Sequence, residues 1–138
     1  MNASSRLLHD LAIPANVADF AKVISSATER AMRLQRQALP RSTRPPMVAY
    51  SFSDYHYADA FDNWLHATRA ALMLPLIAAL DEETYDFFEA RGVDVVLLRD
   101  TKPPHSRLAA RYLYIRTLVV SRLLRSGLRV CFSEMDGA

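Results

Sequence analysis

The sequence predicts an α/β fold: a mainly parallel sheet of about four strands with helices on both faces, preceded by an N-terminal helix. Three observations predict it. Strand-like and helix-like segments alternate from residue 47 to the end of the chain. β-branched residues dominate Val93-Asp94-Val95-Val96-Leu97-Leu98, the strongest strand pattern present. Two of the three glycines, Gly92 and Gly127, stand where helical patterns stop. A chain of 138 residues with 51% hydrophobic and 23% charged side chains can bury a real core and does not read as disordered.

The elements follow in order. Asn16 is a plausible N-cap for a helix in which Val17, Phe20, Ala21, Ile24, Ala27 and Ala31 recur at three- and four-residue spacing. Pro40 stops it, and Pro40 to Pro46 is a linker, so residues 1–46 form an N-terminal helix and linker and residues 47–138 the α/β domain. Met47 to Ser51 reads as a short buried strand, and Ser53 to His56 as a polar loop. Phe61, Trp64, Leu65 and Leu72 mark the apolar face of a helix running to about Met73. Leu76 to Leu80 is a second apolar run. Asp81-Glu82-Glu83-Thr84 opens a helix with acids at its positive end, and Gly92 closes it. After the strand at 93–98 come a loop at 100–106, a helix at 107–126 and a fourth strand at 128–133.

Several functions are excluded. The three glycines are too scattered for a GxGxxG or P-loop motif. One cysteine, Cys131, forms neither an intramolecular disulfide nor a CxxC site. His9, His66 and His105 make no HExxH pattern, and there is no GxSxG elbow. The apolar run Ala70–Leu80 falls short of the ~20 residues a membrane span needs, and no signal-peptide core is present. The net charge is +2, unevenly placed: residues 1–47 carry seven basic and three acidic side chains, the rest ten and twelve. Without interleaved aromatics the basic part reads as a solvated helix face, and nucleic acid is not expected as a partner.

In parallel sheets, ligands bind beyond the carboxyl ends of the strands. That rule selects Ser51 to Tyr57, Asp81, Arg99 to Lys102 and Glu134 to Asp136, all with acidic or polar groups. Glu134 and Asp136 follow directly on the last strand. Alternate residues of an extended segment point the same way, about 6–7 Å apart. Two carboxylates so placed suit a hard ion, Mg²⁺ or Mn²⁺, which keeps positions for substrate phosphates.

Residues 47–136 resemble the nucleotide-diphospho-sugar transferase domain, the family of plant cell-wall xylosyl- and arabinosyltransferases. The likeness rests on the first strand (Val48–Ser51), Asn63-Trp64-Leu65, the run ending in Leu80-Asp81, the Gly92–Val95 strand start, and the block from Leu123 to Asp136 with its leucine pair, glycine, apolar strand and DxD-like ending. The resemblance implies a Rossmann-like GT-A half-domain that binds a nucleotide-diphosphate sugar, UDP-linked above all, for transfer to a glycan or protein hydroxyl in the Golgi lumen. Asp136 would be the metal ligand, and Glu134 stands where the family has its first Asp. The loop after the first strand, with Ser51, His56 and Tyr57, would meet the base. The family's acceptor half follows the DxD, and this sequence ends two residues beyond Asp136. The chain alone is therefore expected to show weak or no transferase activity. A non-catalytic nucleotide-binding remnant and a ligand-free interaction domain are the alternatives.

Arg116 stands apart from the other arginines of the last helix. At about 100° per residue, Arg107, Arg111, Arg122 and Arg125 fall within about 60° of each other, and Arg116 falls on the opposite side. An arginine on the buried side needs a partner. That partner is either a carboxylate such as Asp81 or Asp100, or the diphosphate of a bound ligand.

Overall fold

The structure is a computed structural model that describes the backbone of residues 13–14, 17–53, 59–99 and 108–133, and the side chains of 19–53, 59–98 and 117–133. In chain order it holds β1 (Ile13–Pro14), α1 (Val17–Ala38), β2 (Met47–Ser53), α2 (Phe61–Ala70), β3 (Leu74–Ala79), α3 (Glu82–Glu89), β4 (Asp94–Arg99), α4 (Leu108–Arg125) and β5 (Arg129–Phe132). The sheet order is β1-β4-β3-β2-β5. β2 to β5 are all parallel, and the two-residue β1 pairs antiparallel with the end of β4. The predicted α/β class, with its four parallel strands and leading helix, is the observed one. β1 has no signal in the sequence, because two residues carry no period.

β2, β3 and β4 each alternate between two cores, and β5 adds Val130 and Phe132 to one of them. Val48, Tyr50, Leu76, Ala78, Val96 and Leu98 face α1 and α4, which contribute Phe20, Ile24, Ala27, Ala31, Val119 and Leu123. Ala49, Ile77, Ala79 and Val95 face α2 and α3, which contribute Phe61, Trp64 and Phe88. Burial on both faces explains why the strands read as apolar runs rather than as alternating patterns. α1 is thus a full layer of the domain, and its small Ala27 and Ala31 let it lie close to the sheet.

Strand β3 begins earlier than its apolar run suggests and includes Pro75. Pairing with β4 starts only at Leu76, so Pro75 lies where one flank of the strand is still unpaired. α3 starts where its acids predict. Asp81 is extended (φ −148°, ψ 164°), and its carboxylate accepts from the Thr84 N–H at 2.7 Å, a standard N-cap.

Three helices end in one hydrogen-bond pattern. After α3, Gly92 N–H bonds Glu89 C=O and Val93 N–H bonds Phe88 C=O. After α4, Gly127 and Leu128 repeat this onto Leu124 and Leu123, and after α2, Leu72 and Met73 repeat it onto Arg69 and Thr68. The pattern requires a left-handed residue. Gly92 (φ 70°) and Gly127 (φ 85°) supply it freely, whereas Leu72 (φ 60°) does so under strain.

Candidate functional site

The strand order sets the site. From β2 the chain steps outward through β3 to β4, then returns across the sheet to place β5 on the far side of β2. In open parallel sheets the carboxyl ends of two strands flanking such a reversal are where ligands bind, which selects the ends of β2 and β5 as the candidate site. This is the 3-2-1-4 order of dinucleotide-binding sheets, with the switch point between the first and fourth parallel strands.

Among the described residues, the carboxyl ends of β2 and β5 are polar and closely tied. Tyr50 pairs in register with Phe132, and the Ser133 N–H still bonds Tyr50 C=O at 3.2 Å, which sets Ser133 alongside Ser51. Trp64 reaches across from α2, and its Nε1–H donates to Ser133 Oγ at 3.0 Å. Trp64 is part of the core, as its spacing predicted. Its indole also fixes the last described residue before Glu134. Nothing in the sequence signals that bond, because its partners lie 69 positions apart.

The structure places the predicted site residues differently from one another. Ser51 is fully buried on the α2 face of β2, and its Oγ has no hydrogen-bond partner among the described residues. Ser53, which the sequence placed in a loop, is the last residue of β2 and is also buried. Asp81 stands at the end of β3 with one oxygen committed to capping α3. The backbone of Arg116 lies in α4. The Arg116 side chain, His56, Tyr57, Asp100, Glu134 and Asp136 lie outside the described residues.

Among the described residues, acidic side chains gather at this end. Asp59 and Asp62 open α2, and Asp81, Glu82 and Glu83 open α3. The second buried hydroxyl without a described partner, Thr84 Oγ1, is also at this end, in the first turn of α3. No group of three or more metal-ligating side chains occurs among the described residues. No described helix is long and apolar enough to cross a membrane.

No family model matches the chain, and neither a curated protein nor a solved structure matches it.

Proposed function

We propose that the carboxyl ends of β2 and β5 bind a nucleotide-diphosphate sugar, with UDP as the nucleotide, and that Glu134 and Asp136 hold an Mn²⁺ or Mg²⁺ ion against its diphosphate. The observation that carries this reading is the reversal of strand order between β2 and β5, immediately before the acid pair. The ion, when bound, would neutralise the diphosphate and stabilise it as a leaving group.

The remaining roles fall to the chain's own groups. Asp59, Asp62, Asp81, Glu82 and Glu83 make the mouth repulsive to a bare diphosphate, so binding there requires a cation between acid and phosphate. Arg116 is assigned the second positive contact, its planar guanidinium matching phosphate oxygens. Trp64 and Ser133 hold the chain entering Glu134 in a defined position. Ser51 offers an unmet hydroxyl in β2. His56 and Tyr57 are assigned to the base, in the segment that leaves β2. Asp100, at the end of β4, is assigned to the ligand-facing edge.

Calorimetric titration of UDP with and without Mn²⁺ tests the reading. Saturable binding that needs the metal supports it. No binding at millimolar UDP contradicts it. Release of sugar from UDP-xylose or UDP-galactose then separates a transferase from a module that only binds.

A further inference from the structure

The opposite end of the molecule, where the strands begin, combines positive charge with exposed aliphatic side chains. Arg30 fixes its level: its guanidinium bonds the Asp94 carboxylate at 3.2 Å, at the first residue of β4. α1 runs on for eight residues beyond Arg30, past the edge of the sheet, and carries Arg33 and Arg36 there. The return to β2 adds the exposed Arg41 and Arg44. Arg69 ends α2, Arg122 and Arg125 end α4, and Arg129 starts β5, tied to the same return segment by its bond to Pro45 C=O at 2.7 Å. A groove of about 330 Å³ opens at this level, with Arg30, Arg69 and the Arg30-bound Asp94 on its walls. A second, of about 400 Å³, runs along α1 from Phe20 to Glu29 and has Arg122 and Arg125 on its other wall.

Arginine at a helix C-terminus complements the helix dipole. That accounts for Arg36, Arg69, Arg122 and Arg125, but not for Arg41 and Arg44 in a turn or Arg129 at a strand start. Nor does it account for the apolar groups. The exposed large hydrophobic side chains among the described residues are Met32 (47%), Leu39 (48%), Leu72 (45%) and Leu124 (55%), and all four lie at this end. Leu72 bears two costs at once, since it is exposed and holds a left-handed φ of 60° that glycine would adopt without strain. Strain kept at an exposed position points to a function there.

We infer that this arginine- and leucine-bearing end docks on an anionic lipid bilayer. Guanidinium groups meet the phosphates, and Leu39, Leu72 and Leu124 enter the headgroup layer. The charge favours this occupant over a second copy of the chain, whose like charges would repel. The aliphatic character of the exposed groups favours it over single-stranded nucleic acid, which is held by stacking on aromatic rings. Docking by this end leaves the carboxyl ends of β2 and β5 facing away from the bilayer, and the inference stands whether or not they bind a nucleotide.

Co-sedimentation of the full chain with vesicles of phosphatidylcholine, with and without phosphatidylserine, tests it. Binding is expected only to the serine-containing vesicles, to weaken with added salt, and to fall about fivefold for each of Arg41→Gln and Arg44→Gln. Leu72→Gly is the sharpest variant, because it should raise the unfolding midpoint while lowering vesicle binding. Leu39→Ser should lower binding with the fold unchanged. Absence of binding to serine-containing vesicles, equal binding to neutral ones, or undiminished binding by Leu72→Gly and Leu39→Ser would overturn the inference. So would displacement of the chain from vesicles by a single-stranded RNA present below the lipid-phosphate concentration.

Discussion

Two buried polar groups carry opposite meanings. Asp94 is held by Arg30, yet burial of its carboxyl outweighs that partner and raises its pKa above the ordinary 3.8. The folded chain then keeps the proton at pH values where the unfolded chain has released it. The Asp94 contribution to stability is therefore largest below the ordinary carboxylate pKa and is lost as pH rises through the raised one. Asp94→Asn should flatten the pH dependence of urea unfolding in that window, and an unchanged slope would remove Asp94 as its source. Ser51 differs in having no partner at all among the described residues. A buried unsatisfied hydroxyl costs about 1–3 kcal/mol, so Ser51→Ala should leave the ligand-free fold as stable as before or more so by about 1 kcal/mol. If the hydroxyl serves a ligand, the same change lowers UDP affinity. Measuring both unfolding and UDP binding separates a packing defect from a binding group.

At the scale of elements, the helix ends give the clearest test. Gly127 has no atom within 4 Å of where a Cβ would stand, so Gly127→Ala meets backbone strain and no clash. It should cost about 1 kcal/mol, read as a lower denaturation midpoint, and the converse change Leu72→Gly should recover a similar amount. The sequence made these boundaries legible where a residue type has one use: Gly92 and Gly127 as stops, Asp81 as a cap, β-branched residues in β4. It concealed them where the type is ambiguous. Leu72 extends the apolar spacing of α2 and reads as helix, though it is the residue that ends it. Pro75 reads as a break before a strand that in fact includes it. β1 exists only through its pairing with Leu98 and Arg99, which local sequence does not encode.

At the scale of the whole molecule, the alternation of elements made the fold class readable, but strand order depends on which helix crosses the sheet, and no local pattern states that. The rule that ligands bind at strand ends selected four loops without ranking them. The observed order ranks them, setting the ends of β2 and β5 above those of β3 and β4. Of the proposed site, Trp64 was legible as core, whereas its bond to Ser133 became visible only once the sheet was assembled. That bond makes the chain's single tryptophan a reporter placed one residue from the acid pair. The emission of Trp64 during a UDP titration in Mn²⁺, in the native chain and in Asp136→Asn, is the most direct test of where the ligand binds. A saturable change that requires Mn²⁺ and disappears in Asp136→Asn is expected. Calorimetrically detected UDP binding that leaves Trp64 emission constant and is indifferent to Asp136→Asn would contradict a site between β2 and β5.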